Sequence, residues 1–375
     1  MGAGRRSGAF ALLDVLFPPA LDKVMSTNEQ HPQVEVTSDE EAMSLALDHA
    51  MRVRCDTSPN PWVGAIIVND AGSVIGAGAT SPAGGPHAEV HALTQAGSAA
   101  QGATLYCTLE PCSHHGRTPP CTDALIASGL RRVVVAIEDP DSRVKGTGIA
   151  ALRDAGIDVT VGVADRHARE VLRPYLHHRS TGRPYVVLKS ASTLDGRTSA
   201  ADGTSRWITG SAARAEVHRL RAESDAVLVG AGTVRADDPS LTVREATGRD
   251  PLRVVLGAAP PQARVHPCLE WNGDIGELLD ELGGRGCLQL LVEGGSRVAR
   301  SFLDGGFVDR WLVYVAPAAM GGMSGTPLIG GPTVATMDEL NRFRFVSAAL
   351  VGDDVRLELC PKATCTAEDS TEGEH

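Results

Sequence analysis

Apolar and polar positions change period repeatedly along this chain, and the changes mark its elements. In "SDEEAMSLALDHAMRV", Met43, Leu47, Ala50 and Met51 recur at helical spacing. Ser38 stands where an N-cap belongs, with Glu41 three residues on. The apolar runs "WVGAIIV" and "SVIGAGA" flank "NDAG", which predicts a hairpin. A helix is expected from "HAEVHALTQA", a strand from "ATLYCTL" and a helix from "TPPCTDALIASG", ended by Gly129. Strand "RRVVVAI", helix "GTGIAALRDAG" and strand "IDVTVG" follow. Strands alternating with helices predict α/β layers.

A second series starts near "TGRPYVVLKSAS", where Thr181, Gly182 and Pro184 punctuate the chain. It runs through strand "YVVLKSA", helix "SAARAEVHRLRAE", strands "AVLVGAG" and "PLRVVLG", and helix "IGELLDELGGRG". Strand "LQLLVEGG", helix "RVARSFLDGG" and strand "RWLVYVAP" complete it. The pattern predicts one α/β domain over residues 38–180 and another over 181–361. Residues 1–37 and the acidic, polar tail 362–375 are expected to be disordered.

Composition narrows the function. A length of 375 residues suits two ordinary domains. Aromatics are only 4%, so the cores must be built from Ala, Val, Leu and Ile. A net charge of −11 argues against a nucleic-acid partner, because that affinity rests largely on Lys and Arg contacts to phosphate. No apolar run reaches the length of a membrane span, so no membrane partner is expected. Arg5 and Arg6 precede a mildly apolar patch, but Asp14 and two prolines interrupt it and no clean cleavage site follows, so a signal peptide is not expected. The eight Cys are irregularly spaced in a large chain, which predicts a reducing cytoplasm and thiols used as metal ligands or core residues.

"GPHAEVHAL" places His87 and Glu89 at a helix start, where a lone His is more often structural. "TLEPCSHHGRTPPC" adds Cys112 and Cys121, each preceded by proline. One imidazole and two thiolates leave a fourth position open, which is the pattern of a catalytic zinc. Zinc deaminases read H-x-E…P-C-x-x-C, with the Glu moving protons rather than binding metal. His-x-Glu and Pro-Cys match here, but the spacing to the second Cys has grown from two residues to eight. His115 stands at the short spacing and is the alternative ligand; the proline-rich return of the chain favours Cys121. Zinc would lower the pKa of its water to about 7. Glu89 would carry that water's proton to the ring nitrogen and then to the departing amine.

In the second unit, Gly230 to Gly232 and Gly294-Gly295 each close a strand and would allow a ligand phosphate to approach the backbone, with a plain βα turn the equal alternative for the first. The second pair opens a helix. Neither is G-x-G-x-x-G, so a Rossmann fingerprint is not supported.

"TSPNPWVGAIIV", "GGPHAEVHAL" and "TLEPCSHHGRTPPCTDALI" resemble the deaminase half of the bifunctional riboflavin-biosynthesis deaminase/reductases. "LKSASTLDGR", "SRWITG", "LVGAGTVRADDPSLTVR" and "LVEGGS" resemble its reductase half. The resemblance implies a cytidine-deaminase-like α/β/α layered domain followed by a dihydrofolate-reductase-like α/β domain. It implies hydrolytic deamination of 2,5-diamino-6-(5-phosphoribosylamino)pyrimidin-4(3H)-one to 5-amino-6-(5-phosphoribosylamino)uracil. NADPH-dependent reduction of the ribosyl side chain to ribityl then follows. The partner is thus a small phosphorylated pyrimidine, and a homo-oligomer is expected.

Carried over by residue, the resemblance implies zinc on His87, Cys112 and Cys121, with Glu89 as proton shuttle. Asn60 would meet the base and Arg117 the substrate phosphate. NADPH contacts fall on Ala191, Trp207, Thr233, Asp237, Gly294, Gly295, Ser296 and Arg297. Substrate contacts fall on Ser205, Arg221, Leu241, Arg244 and Glu293, with Lys189 near the reacting carbonyl or imine. Arg221 and Arg244 are the basic pair expected to hold a phosphate.

Two departures stand out. Thr80 occupies a position where many members carry His, and the stretch before "LLVEGG" is short, as though a strand and helix were trimmed. That trimming motivates a rival reading, a deaminase whose reductase half is only a scaffold. A nucleic-acid-editing deaminase and a zinc-stabilised structural module are the readings from other classes.

Overall fold

The computed structural model describes residues 34–116 and 118–362. The expected N-terminal extension through residue 33 and the tail from 363 lie outside the described residues, as does Arg117.

The first half runs α1 (Asp39–Arg52), β1 (Gly64–Val68), β2 (Val74–Ala79), α2 (Ala88–Ala96), β3 (Thr104–Cys107) and α3 (Cys121–Ala127). Then come β4 (Arg132–Val135), α4 (Thr147–Asp154), β5 (Asp158–Val161), α5 (Asp165–Val171) and α6 (Arg173–Thr181). Ser38 caps α1, its Oγ accepting the Glu41 N–H at 3.1 Å, while the Glu41 carboxylate turns back to accept from Thr37. The strands form one sheet in the order β2-β1-β3-β4-β5, with β3, β4 and β5 parallel. A Cβ on Gly64 would stand 1.8 Å from the Ala46 carbonyl, and one on Gly78 would stand 2.3 Å from that of Ala88. Glycine at these two strand positions lets α1 and α2 lie directly on the sheet, so α2 carries the His-x-Glu stretch at a fixed height above β2.

The second half runs β6 (Tyr185–Thr193), β7 (Arg197–Ser199), α7 (Ser211–Ala222), β8 (Ala226–Gly230), α8 (Ala231–Asp237), β9 (Leu252–Leu256) and β10 (Leu269–Trp271). It continues with α9 (Ile275–Gly284), β11 (Gln289–Val292), α10 (Ser296–Asp304), β12 (Arg310–Ala316), β13 (Thr326–Pro327), β14 (Phe343–Val351) and β15 (Asp354–Pro361). Eight strands form a sheet in the order β10-β9-β8-β11-β6-β12-β15-β14, parallel as far as β12 and antiparallel after it. Strand alternation divides the core. Val187, Val227 and Val229 face α7 and α8, while Val186, Ala226 and Leu228 face α9 and α10. The two α/β domains expected from the sequence are therefore present.

The structure corrects several expectations. Order begins before residue 38: Val36 N–H bonds Gly72 O at 2.9 Å and Val74 N–H bonds Val34 O at 2.9 Å. Helices α5 and α6 and the β14–β15 hairpin were not read from the pattern. Gly230 ends β8 and caps α8, and Gly232 lies in the first turn of that helix. The stretch before "LLVEGG" holds the three-residue strand β10 and the expected helix α9.

The halves share packing and charge. Leu288, just before β11, belongs to the core of the first half. Arg310 bonds Glu170 at 2.6 Å and also pairs with Glu358. Arg54 donates to Gln289 at 3.1 Å and lies 3.3 Å from Glu223. His178 Nε2 donates to Gly283 O at 3.0 Å.

Candidate active sites

In the first half, three donors converge from two helix starts and the loop between them. His87 is the N-cap residue of α2, and its side chain makes no capping bond, which leaves the ring free to point into the site. Cys121 is the first residue of α3. The loop from Cys112 returns to it: Thr122 N–H bonds Cys112 O at 3.2 Å, and Cys121 N–H reaches Cys112 Sγ at 3.4 Å. This closure makes the eight-residue spacing equivalent to the short one.

His87 Nδ1 stands 3.2 Å from Cys121 Sγ and 3.6 Å from Cys112 Sγ, and all three donor atoms lie within 4.8 Å of one another. Tetrahedral zinc, with Zn–N about 2.0–2.1 Å and Zn–S about 2.3 Å, needs separations of about 3.6 Å. The donor set and its spacing fit that ion. Thr118 Oγ1 lies 3.5 Å from His87 Nε2, an outer partner for the ring. His115 is exposed and outside the cluster, so Cys121 supplies the third donor and His115 does not.

Glu89 sits one helical step inside the same α2 start, only 4% exposed. Burial raises its carboxyl above the usual range, with His87 pulling the other way. A carboxyl poised to take and return a proton needs that upward shift.

The Glu of "LEPC" was not read as functional, yet it builds the site's floor. Glu110 Oε1 accepts the N–H groups of Gly148 and Ile149, and Oε2 those of Asp139 and Gly146, at 2.9–3.2 Å. A Cβ on Gly148 would fall 2.0 Å from Pro111 O, so the start of α4 abuts the residue before Cys112. Asn60 closes a turn through its N–H to Thr57 O at 3.0 Å. Thr80 is buried and exchanges hydrogen bonds with the Val63 backbone at 3.1 and 3.3 Å, so it ties strands together and is spent on the fold. His91 is paired with Ser81 at 2.8 Å.

In the second half, most of the expected residues gather at the C-terminal ends of β6, β8 and β11. Neighbouring parallel strands there leave the crevice where α/β sheets bind ligands. Gly295 is the N-cap of α10 and offers no side-chain cap to the first-turn N–H groups. A Cβ on Gly294 would fall 2.4 Å from Val298, whereas one on Gly295 would meet only Thr233 Oγ1, at 3.6 Å. Gly294 thus serves packing, and Gly295 with Thr233 lines open space. Ser205 Oγ donates to Asp237 Oδ1 at 3.3 Å, and Trp207, 70% exposed, lies under the Arg214 guanidinium at 4.6 Å.

Lys189, Arg221 and Glu293 form a second group beside Ala191 on β6. Burial lowers the Lys189 ammonium, with Glu293 opposing and Arg221 adding to the shift. Lys189 Nζ lies 5.8 Å from the Tyr314 ring centre. The Arg221 guanidinium is engaged by Glu293 at 2.6 and 2.8 Å and by Thr242 O at 3.3 Å. Its charge is balanced by Glu293 inside the protein, whereas the expected phosphate clamp was a free cation. Arg244 keeps an exposed guanidinium, with Nη1 on Ser240 and Thr242. Buried Leu241, at φ 54°, turns the chain between those two residues.

Comparison with known proteins bears on both sites. Residues 36–137 match the family described as the cytidine and deoxycytidylate deaminase zinc-binding region, and residues 184–357 match the RibD C-terminal domain. The riboflavin biosynthesis protein RibD of Mycobacterium tuberculosis is 44% identical over 337 residues, covering 87% of this chain and 98% of that protein. The chain belongs to the RibD family. The RibD of Escherichia coli K12 is 40% identical, covering 86% of this chain and 99% of its own. Among solved structures, Acinetobacter baumannii RibD superposes with a TM-score of 0.82 at 40% identity, covering 86% of this chain and 99% of that one. The Thermotoga maritima diaminohydroxyphosphoribosylaminopyrimidine deaminase/5-amino-6-(5-phosphoribosylamino)uracil reductase gives 0.78 at 34% identity, covering 86% and 98%. As a RibD-family protein the chain is a bifunctional enzyme of riboflavin biosynthesis, with its zinc-type deaminase domain first and its reductase domain second.

Proposed function

We propose that the first half deaminates the 2-amino group of the phosphoribosylamino-diaminopyrimidinone, and that the second half reduces the resulting ribosylamino side chain to ribityl. The juxtaposition of buried Glu89 with the His87–Cys112–Cys121 cluster carries the reading. Bound by those three donors, zinc supplies Lewis-acid activation of the attacking water. Glu89 takes one proton of the water and passes it to the ring nitrogen, then carries the added hydroxyl's remaining proton to the amine, which leaves as ammonia while the ring carbon becomes a carbonyl. Asn60 orients the base and Arg117 meets the phosphate.

In the second half, Gly295, Ser296 and Arg297 receive the cofactor's phosphate groups at the α10 start, beside Thr233, Asp237 and Ala191, with Trp207 packing on it. NADPH supplies the hydride there. Lys189 holds a proton at Nζ beside the reacting carbon, and Glu293 and Arg221 position it. Ser205, Leu241 and Arg244 line the substrate side. The gathering of Lys189, Thr233, Glu293 and Gly295 at neighbouring strand ends favours an active reductase over a scaffold.

The domains extend over 38–180 and 181–361, preceded by the few paired residues from Val34. Among the described residues, no helix is long and apolar enough to cross a membrane. The reading places the enzyme in the cytoplasm, as a homo-oligomer acting on a small molecule rather than nucleic acid. Purified protein supplied with the diaminopyrimidinone and NADPH should release ammonia and then oxidise NADPH. Neither event occurring would overturn the reading.

A further inference from the structure

The second half holds another group of metal-ligating side chains, which the two reactions do not use. His266, Cys268 and Glu270 stand at alternate positions on the run entering β10, and their donor atoms all lie within 4.8 Å of one another. His266 Nδ1 and Cys268 Sγ are 3.5 Å apart, close to the separation of about 3.6 Å that tetrahedral zinc requires.

The surroundings of each donor suit a cation. His266 Nε2 lies 3.0 Å from Pro260 O. A carbonyl can only accept, so Nε2 carries the proton and Nδ1 turns its lone pair towards Cys268. The same outer hydrogen bond orients histidine ligands in metal sites generally. Glu270 accepts the Ala259 N–H on Oε1 at 3.0 Å, which fixes the carboxylate and leaves Oε2 for a metal. Arg253, the basic side chain beside Cys268, donates to the His266 carbonyl at 3.3 Å and so steadies the backbone of the first donor.

The place has a use for such a tie. Strand β10 has three residues, forms the edge of the eight-stranded sheet and pairs in register only with β9. The connection leading into it from β9 holds no helix or strand. Buried Val265 and the Arg264 N–H to Asp238 Oδ1, at 2.8 Å, are among its anchors. A site of imidazole, thiolate and carboxylate is of the mixed, borderline type that zinc accepts. Three protein donors leave one tetrahedral position to solvent beside exposed Glu270. We propose that His266, Cys268 and Glu270 bind a second zinc ion, which clips the β9–β10 connection to the sheet edge.

The test is metal stoichiometry on the full chain. Wild-type protein equilibrated with zinc and freed of excess should hold two ions per chain, and C268S and H266N should each hold one. A C112S/C121S double variant, which lacks the thiolates of the first site, should still bind one cobalt(II) ion with a thiolate-to-metal charge-transfer band. Adding C268S should abolish that band. Wild-type protein holding one zinc, with C268S unchanged from it, overturns the proposal. So does a double variant without a thiolate–cobalt band, which would leave an S–H···N hydrogen bond between Cys268 and His266. Because the double variant disables the first site, its outcome is independent of the deamination reading.

Discussion

Arg221, near the end of α7, grips Glu293, just beyond β11, through two parallel bonds of 2.6 and 2.8 Å. Both side chains are nearly buried, at 12% and 11% exposure. Burial alone would raise the Glu293 carboxyl, but Arg221, with help from Lys189, holds it below its ordinary value. A desolvated bidentate pair of this kind fixes geometry, and here it fixes the floor beneath Lys189.

Glu293→Gln should therefore damage reduction selectively. It removes the charge that opposes the Lys189 shift and leaves the Arg221 guanidinium unbalanced. Stranding one partner of a buried pair costs about 3–5 kcal/mol. NADPH oxidation is expected to fall by about 10²-fold or more, while ammonia release by the first half stays within about twofold. Equal loss in both assays would show that the pair supports overall folding instead.

Glu89→Gln keeps the size of the side chain and removes the proton carrier. The variant should fold, retain the zinc of His87, Cys112 and Cys121, and lose deamination by at least about 10²-fold. Given the deaminated pyrimidine directly, it should oxidise NADPH at the wild-type rate. Metal analysis beside the two assays separates this from loss of the ion, which a Cys112→Ser control would show.

Asp309 carries a pH dependence of stability. Burial pushes its carboxyl up to about 7, opposed by the Val186 N–H and by Arg173. A folded value above the unfolded one, about 3.9, favours the protonated form in the native state. The stability it contributes is complete below about pH 4 and is lost as the pH rises through about 7. Asp309→Asn removes that loss and can still accept the Val186 N–H, now 2.8 Å from Oδ2. The variant should gain on the wild type between pH 5 and pH 8, by about 3 kcal/mol. Urea titrations at both pH values read the difference; a gap independent of pH would contradict it.

Arg310→Met should loosen the joint between the halves. It strands Glu358 and leaves Glu170 with Arg173 alone, which is expected to cost about 3–5 kcal/mol. Calorimetry should show a lower melting temperature and a broader or divided transition. An unchanged single transition would place the cohesion of the halves elsewhere.

The deamination centre was legible because its chemistry is local: His87 and Glu89 share a helix start, and Cys112 and Cys121 share one loop. The reductase crevice was legible only as separate strand ends. Nothing in the chain announces that Arg221 and Glu293, 72 residues apart, neutralise each other, so Arg221 reads as a free cation. Glu110 was hidden because its partners are four backbone N–H groups, which leave no mark in side-chain pattern. Helices α5 and α6 lack a clean apolar stripe, since part of their inner surface is Pro174, Tyr175 and His178. Strand β14 is an edge strand with both faces partly wet, so its alternation is weak.

The contact between the end of α6 and α9 limits what position 283 can carry. A Cβ on Gly283 would stand 1.9 Å from the carbonyl of Gly182, the residue that caps α6, so backbone meets backbone there. Any side chain at 283 would force α9 off the end of α6, and the joint that Arg310 and Glu170 tie by charge would be wedged open by bulk.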